Sequence, residues 1–279
     1  MRTRFVVFLV VLAAVAGVSV AIWRGAGPLA DPEGCSATVA GKTVSLDLEQ
    51  GQITALIAAV AEDRGLPARA VTIAIATAYQ ESKIRNIAHG DRDSVGIFQQ
   101  RPSQGWGTVA QIRDEHYTIN KFFEALEKVD GYEDMVITEA AQEVQRSGFP
   151  EAYADHESDA RVLASALTGN SGGGAFSCVV DSTDDRGTAA AVAGSLTEAF
   201  GDLTVSRGSR QDTVVPVSAG TEGNRKGWAV AQYLVAYAEP LKIRSVSFDG
   251  RTWKVGRDSE DGWTKTPEVS GGQVTASLG

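Results

Sequence analysis

Apolar and polar positions alternate with different periods along the first half of the chain. Residues 35–48 alternate around an Ala-Gly pair, which predicts a short β-hairpin. Apolar residues then recur at helical spacing over residues 47–65, and Gly65 is expected to end that helix. The next stretch, residues 67–82, is apolar or small almost all round, so we expect a helix that is buried rather than lying on a surface.

Three further helices are predicted from the same periodicity. They cover residues 116–131, 138–150 and 151–169, with Thr138 as a candidate N-cap of the second. A glycine-rich stretch, residues 169–177, is expected to form a flexible link, and the composition changes beyond it. The first part of the chain is therefore predicted to be mainly helical with one small β element.

Helices and strands are mixed after the link. Residues 188–201 and 227–242 are predicted as helices from their apolar spacing. Residues 243–256 predict a hairpin that turns at an Asp-Gly pair, and residues 272–279 predict a final strand. This arrangement is typical of a small α+β domain.

A length of 279 residues suits two domains of ordinary size, and an apolar content of 43% is enough to form their cores. The predicted fold class is α+β. A mainly helical domain with an N-terminal hairpin covers residues 31–179, and a linker with a small α+β domain covers residues 180–279.

Residues 1–30 differ in character from the rest of the chain. Residues 5–23 carry no charge and are long enough for a helix that crosses the hydrocarbon layer of a membrane. The arginines before this run favour an N-terminus on the inside. We therefore expect a single-pass anchor at the cell membrane with the rest of the chain outside. A cleaved signal peptide, which would leave the protein secreted, is the alternative.

The only two cysteines are Cys35 and Cys178. Export to an oxidising compartment favours a disulfide between them, which on a chain-entropy model stabilises the fold by about 4–5 kcal/mol. Two unrelated buried thiols are the alternative.

Charge and histidine content restrict the other function classes. The formal net charge is −9 and no basic run occurs outside the N-terminus, so we expect no nucleic-acid partner. The three histidines have no zinc-binding spacing, so we expect no metal and no cofactor.

Glu81 stands where the buried helix is predicted to end, before a loop rich in glycine and polar residues. A glutamate at a helix end is usually a solvated surface group. Here the apolar helix would place the carboxyl at the edge of an apolar wall, which raises a carboxyl pKa and makes a usable general acid near neutral pH. Trp106 in the loop offers a flat apolar face of the kind that binds sugar rings.

The pair Glu81–Ser82, followed by Gly-Ile-Phe-Gln at residues 96–99, resembles the lysozyme-like superfamily. The likeness is closest to the soluble lytic transglycosylases, in which Glu-Ser is followed at this spacing by Gly-Leu-Met-Gln. Animal lysozymes have an aspartate two residues before the glycine, where this chain has Ser94. A small residue at that place is typical of the transglycosylases. The resemblance covers roughly residues 49–169.

The resemblance implies a role for Glu81. It would protonate the glycosidic oxygen between N-acetylmuramic acid and N-acetylglucosamine in peptidoglycan and then act as a base. A lysozyme-type enzyme usually needs a second carboxylate, for which Asp91 and Asp93 are the nearby candidates. Turn formation is the more common role of such residues. A transglycosylase needs no second acid, because the sugar's own 6-hydroxyl closes the ring.

Two positions depart from the family's pattern. The family's asparagine four residues after the glutamate is displaced to Asn86, and its later Ala-Tyr-Asn motif is missing. Gln145 and Tyr153 are candidate substitutes for that motif. The candidate sugar-binding residues are therefore Ser94, Gln99, Gln100, Arg101, Trp106, Gln145 and Tyr153. For the three consecutive residues 99–101, holding the loop in place is an equally good interpretation.

The function that the resemblance implies is a peptidoglycan lytic transglycosylase whose partner is the glycan strand. The alternative is a catalytically inactive wall-binding or assembly protein with the same fold. No histidine follows His156, so residues 180–279 are expected to be non-catalytic. Their tryptophans, Trp228, Trp253 and Trp263, are expected to fill a core rather than to bind glycan.

Overall fold

The computed structural model describes residues 31–146, 150–208 and 212–278. Residues 33–279 belong to one compact unit that combines helices with two antiparallel sheets. The α+β class predicted from the sequence is therefore confirmed. The division into two domains near residue 180 stays a prediction.

The first part of the unit begins with a hairpin and continues with helices. In chain order its elements are β1 (Gly34–Val39), β2 (Lys42–Leu46), α1 (Leu48–Asp63), α2 (Ala68–Ser82), α3 (Val109–Ile112), α4 (Glu115–Leu126), α5 (Ile137–Gln145) and α6 (Glu157–Leu167). Two 3-10 helices, Pro102–Gln104 and Pro150–His156, lie between them.

Local sequence explains where the first two helices begin. The side chain of Asp47 accepts the backbone N–H of Gln50 at 2.9 Å, and Gln50 Oε1 accepts the backbone N–H of Asp47 at 3.0 Å. This reciprocal capping box satisfies two backbone donors that the first turn leaves free. Pro67 is the N-cap of α2, so its missing N–H is not needed by the helix.

Helix α2 is the centre of the first part. Nine consecutive residues, 70–78, are buried, as the sequence predicted. Helices α1, α5 and α6 and the 3-10 helix Pro150–His156 pack around it. Small alanine side chains let these neighbours approach closely, so no face of α2 is left to solvent until its last turn.

Two predicted helices differ in detail from the structure. The N-cap of α5 is Val136 rather than Thr138, which lies inside the first turn. The segment predicted as one helix over 151–169 is divided into the 3-10 helix Pro150–His156 and α6. The tighter first piece turns Tyr153 into the core, where it is fully buried.

The second part is built on a six-stranded sheet. Its elements are β3 (Phe176–Val179), α7 (Ala189–Phe200), β4 (Ser206–Arg207), β5 (Thr213–Pro216), α8 (Thr221–Ala236), α9 (Ala238–Leu241), β6 (Ser245–Phe248), β7 (Arg251–Lys254), the 3-10 helix Gly256–Ser259, β8 (Thr264–Lys265) and β9 (Gln273–Ser277). The order of the large sheet is β4-β5-β9-β6-β7-β8, and every neighbouring pair is antiparallel. Strand β3 instead joins the hairpin in the order β2-β1-β3.

The predicted hairpin and final strand are both present. Strands β6 and β7 turn at Asp249 and Gly250, which have φ angles of 43° and 72°. Two consecutive positive φ angles define a turn whose twist matches that of the strands, and Asp-Gly is a favoured pair for it. Strand β9 lies between β5 and β6 in the middle of the sheet.

The glycine-rich stretch after α6 is packed and does not behave as the flexible link that was predicted. A Cβ on Gly173 would lie 2.3 Å from the ring of Trp228, so only glycine allows this approach. Trp253 Nε1 and Trp263 Nε1 donate to the carbonyl oxygens of Cys178 and Phe176, each at 2.9 Å. These tryptophans are buried, as expected, and they attach the large sheet to β3.

Cys35 and Cys178 form a disulfide, which confirms the predicted pair. They face each other in register on the antiparallel strands β1 and β3. The bond joins residues 143 positions apart, and both cysteines are buried.

The expected location at the cell membrane is corrected. Within residues 31–146, 150–208 and 212–278, no helix combines the length and the apolar character that crossing a bilayer requires. The run 5–23, on which the expectation of an anchor was based, lies outside the described residues.

Candidate functional site

Glu81 is the penultimate residue of α2, at the point where that helix leaves the core. Its side chain is half-buried. The two residues that follow the helix, Lys83 and Ile84, both have φ angles of 56°. A left-handed conformation is uncommon for any residue with a side chain and is a genuine outlier for a β-branched one. Such strain is often found at functional sites, so it directs attention to the end of α2.

Two residues from distant parts of the chain donate hydrogen bonds to Glu81. Tyr153 Oη lies 2.7 Å from Glu81 Oε1, and the side-chain amide of Gln145 also bonds the carboxyl. Burial raises the pKa of Glu81 above its usual value, while the two hydrogen bonds act in the opposite direction and only partly offset it. The two candidate substitutes for the missing motif therefore both contact the candidate acid.

The same end of α2 is attached to the loop that carries Gly-Ile-Phe-Gln. Ser82 Oγ donates to the carbonyl oxygen of Ile97 at 2.7 Å and accepts the backbone N–H of Arg85 at 3.0 Å. Gln145 Nε2 donates to the carbonyl oxygen of Phe98 at 2.7 Å. The Glu-Ser pair and the Gly-Ile-Phe-Gln segment therefore form one unit, in which the serine holds the loop and the glutamate lies half-buried beside it.

Gly96 has a structural role in that unit. Its φ angle is +79°, and a Cβ would lie 2.8 Å from the carbonyl oxygen of Ile112. Its backbone N–H donates to the carbonyl oxygen of Ile87 at 2.7 Å. Phe98 is fully buried and stacks on Phe122 with 4.4 Å between ring centroids. The loop is thus fixed by its own glycine and aromatic residue.

Ser94 and Gln99 contact each other inside the loop. The Ser94 hydroxyl lies 2.7 Å from the carbonyl oxygen of Asp91 and 3.0 Å from Gln99 Oε1. Gln99 Nε2 donates to the carbonyl oxygen of Gly96 at 3.2 Å. Ser94 is buried and Gln99 is half-buried, so of these two residues Gln99 has the more accessible side chain.

Gln100 and Arg101 hold the loop against its surroundings. Gln100 is 2% exposed, and its amide oxygen accepts the hydroxyl of Thr118 at 2.8 Å. Arg101 Nε donates to Asp93 Oδ1 at 2.8 Å. The backbone N–H of Ser103 also donates to Asp93, at 2.8 Å, and these donors hold the pKa of Asp93 well below its usual range. In this structure Gln100 and Arg101 are engaged with the protein itself.

Trp106 lines a cleft of about 800 Å³ that also includes Gln145. Its ring is half-buried, and Tyr117 Oη donates to its backbone oxygen at 3.2 Å. The cleft is lined by Gln104, Trp106, Ala125, Lys128, Val129, Asp130, Met135, Glu143, Val144, Gln145 and Arg146. A volume of this size is ordinary for a small-molecule site.

Asn86 takes no part in this arrangement. Its side-chain amide donates to the carbonyl oxygen of Arg113 at 2.8 Å, and its oxygen accepts from Arg113 Nε at 3.1 Å.

Sequence reasoning missed the charged residues of the cleft, Lys128, Asp130, Glu143 and Arg146. They follow no motif, and exposed charged residues near helix ends give no signal in a single sequence.

No metal centre is evident in the part of the chain that the structure describes, where no group of three His, Cys, Asp or Glu side chains is arranged to hold an ion.

Neither a protein-family model nor a curated protein matches the chain. The chemistry of the site is therefore the basis on which a function is assigned.

Proposed function

We propose that this protein cleaves the glycan strands of peptidoglycan as a lytic transglycosylase, on a lysozyme-like arrangement of helices around α2. The observation that carries the proposal is the half-buried carboxyl of Glu81, which has a raised pKa and is held by Tyr153 and Gln145. A general acid works best when its pKa lies near the operating pH, so burial of this carboxyl suits it to proton transfer.

The proposed reaction uses one carboxyl group twice. Glu81 donates its proton to the glycosidic oxygen as the bond from that oxygen to C1 of muramic acid breaks. The 6-hydroxyl of the same sugar then forms a bond to C1 and returns its proton to Glu81. The products are a 1,6-anhydromuramic acid end and a free hydroxyl on the next sugar, and no water is consumed.

The two carboxylates of the loop favour this reaction over hydrolysis. A lysozyme-type mechanism needs a second carboxylate beside the sugar. Asp93 is bonded to Arg101 and Ser103, and Asp91 is exposed next to Arg92, 3.8 Å away. Neither contacts Glu81, and the bonds that hold Asp93 are those of a residue that organises a loop.

Wall binding without cleavage is the second candidate function. It is favoured by the two donors on Glu81, because hydrogen bonds from Tyr153 and Gln145 stabilise the ionised carboxylate. An ionised carboxylate cannot protonate a glycosidic oxygen. Burial favours the protonated carboxyl that cleavage requires, and these donors favour the ionised carboxylate that would only bind. The protonation state of Glu81 therefore distinguishes the two functions.

Digestion of purified cell walls by the full chain and its Glu81→Gln variant tests the proposal. Loss of general acid–base help is typically about 10²–10⁴-fold, so the variant should release almost no soluble fragments. Glu115→Gln is the matched control, because Glu115 is also a half-buried glutamate whose pKa is raised by burial, and it bonds Asn86 instead. It should digest walls at the rate of the unmodified chain.

Product mass distinguishes the reaction types. Anhydro ends weigh one water less than reducing ends, so mass spectrometry of the soluble fragments identifies them. Reducing ends, together with inactivity of Asp93→Asn, would replace the proposal by hydrolysis with two acids. Equal digestion by the unmodified chain and Glu81→Gln would remove Glu81 from the mechanism. Wall binding with no digestion by either would leave the second candidate.

A further inference from the structure

We propose that His156 is a positioning residue for the candidate acid. It attaches the 3-10 helix Pro150–His156 to the last turn of α2, and this 3-10 helix carries the Tyr153 hydroxyl that bonds Glu81. The inference rests on the proposed function for the role of Glu81 as an acid. It is tested on the carboxyl group itself, so the test does not require cleavage.

Tyr153 and His156 lie on the same face of the 3-10 helix that they share. Such a helix has three residues per turn, so side chains at positions i and i+3 lie one above the other. Both side chains contact the last turn of α2. Tyr153 bonds Glu81 at 2.7 Å, and His156 contacts the two residues that precede Glu81. The 3-10 helix is therefore attached to α2 at two neighbouring points, and one of them is the candidate acid.

His156 contacts α2 through both its ring face and its ring nitrogen. The ring stacks on that of Tyr79, with 5.3 Å between the centroids and 11° between the planes, which is an ordinary geometry for a stacked pair. Nε2 lies 3.1 Å from Gln80 Oε1, which makes a hydrogen bond when Nε2 carries the proton. Burial, with a smaller effect of Asp159, raises the pKa of Tyr79 to about 12. Tyr79 therefore stays neutral while a carboxyl titrates, and its ionisation does not disturb the stack.

The carboxylates that begin α6 next to His156 have cationic partners of their own. Glu157 pairs with Arg161 at 2.5 Å, and Asp159 pairs with Lys42 at 2.6 Å. The ring of His156 is instead engaged with the last turn of α2. This contact joins the 3-10 helix to the turn that carries the acid, which is the arrangement a positioning residue requires.

Titration of the Glu81 carboxyl tests the inference. The carboxyl carbon is followed by carbon-13 NMR of the full chain across a pH series, and the signal missing from Glu81→Gln identifies it. The Tyr153 bond favours the ionised form, so His156→Ala should move the titration midpoint to higher pH. The shift should not exceed that of Tyr153→Phe. In a chain that already carries Tyr153→Phe, His156→Ala should cause no further shift, because residues that act through one bond are not additive.

Two matched variants separate position from charge. Histidine gains a proton near neutral pH, so His156→Ala also removes a cation. His156→Phe removes the same cation but keeps a flat ring over Tyr79, and it should leave the midpoint of Glu81 where it is in the unmodified chain. His116→Ala removes another half-buried histidine that has an amide neighbour, Asn120 Nδ2 at 3.4 Å on α4. It should also leave the midpoint unchanged.

The outcomes are separable from those of the proposed function. An unchanged midpoint in His156→Ala overturns the inference. An equal shift in His156→Phe assigns the effect to charge and overturns it as well, and so does an undiminished shift in the chain with Tyr153→Phe. Absence of wall digestion by the unmodified chain rejects the proposed function alone, because the midpoint of Glu81 is measured without it.

Discussion

Tyr153 donates a hydrogen bond of 2.7 Å to Glu81 across 72 positions of sequence. The tyrosine is fully buried, whereas the glutamate is half-buried at the end of α2. The bond therefore runs from the core to the edge of the site and fixes the carboxyl from behind. Together with the amide of Gln145 it holds the carboxyl in place and lowers its pKa, against the larger raising effect of burial.

Replacing Tyr153 by phenylalanine should change the pH dependence of wall digestion. The hydroxyl stabilises the ionised carboxylate, so its loss should raise the pKa of Glu81 further. The cleaving form is the protonated one, and the alkaline limb of the pH–rate profile should move to higher pH. Digestion rates measured across a pH series check this. Tyr233→Phe, which removes a buried hydroxyl bonded to Ser195, should leave the limb in place. A downward shift in Tyr153→Phe would contradict the assigned role of the bond.

Glu81→Gln should stabilise the folded protein at neutral pH. Because burial raises the pKa of Glu81, the folded chain binds this proton more tightly than the unfolded chain. The free energy of unfolding therefore falls as pH rises from the unfolded pKa through the folded pKa. An amide removes that loss, so the free energy of unfolding of the variant should exceed that of the unmodified chain at pH 7. Urea unfolding at pH 7 and pH 4 measures the difference, which should shrink at pH 4. A difference independent of pH would speak against the raised pKa.

Gly96→Ala should destabilise the fold more than Gly65→Ala. Both glycines have positive φ angles, +79° and +66°, so alanine at either position costs about 1–2 kcal/mol of backbone strain. At Gly65 nothing lies within 4 Å of the added methyl, whereas at Gly96 the methyl would be 2.8 Å from the carbonyl oxygen of Ile112. Chemical denaturation of the two variants compares them directly. Similar losses would show that the loop moves freely at Gly96.

Replacing both Cys35 and Cys178 by serine should lower the free energy of unfolding by about 2–5 kcal/mol. The bond closes a long loop, and its removal enlarges the unfolded ensemble. Thermal unfolding of the oxidised protein should show a higher midpoint than the double variant. Addition of a reductant should bring the unmodified protein toward the variant and should leave the variant unchanged. An unmodified protein whose midpoint is the same with and without reductant, when thiol labelling shows full reduction, would refute the prediction.

Hydrophobic periodicity predicted those helices and strands well whose formation depends on the local sequence alone. The hairpin at β1 and β2, the all-round burial of α2 and the Asp-Gly turn between β6 and β7 each follow from local rules. The prediction of Thr138 as the N-cap of α5 was wrong, because a threonine near a helix start is only one of several residues that fit the N-cap position. The prediction of a flexible link was wrong for a related reason. Glycine also occurs where two segments pack too closely for a Cβ, as it does here against Trp228.

The sequence by itself determined that the chain is α+β, that two cysteines are available to pair, and that a carboxyl ends a buried helix before a glycine-containing loop. These features follow from residue types and from their spacing over short stretches of the chain, both of which can be seen in one amino-acid sequence. Only the tertiary structure decided which side chains meet Glu81 and which charges surround the cleft. Tyr153 and Gln145 reach the carboxyl because α5 and the 3-10 helix Pro150–His156 pack on α2. Contacts of this kind depend on the docking of whole elements, which hydrophobic periodicity does not encode.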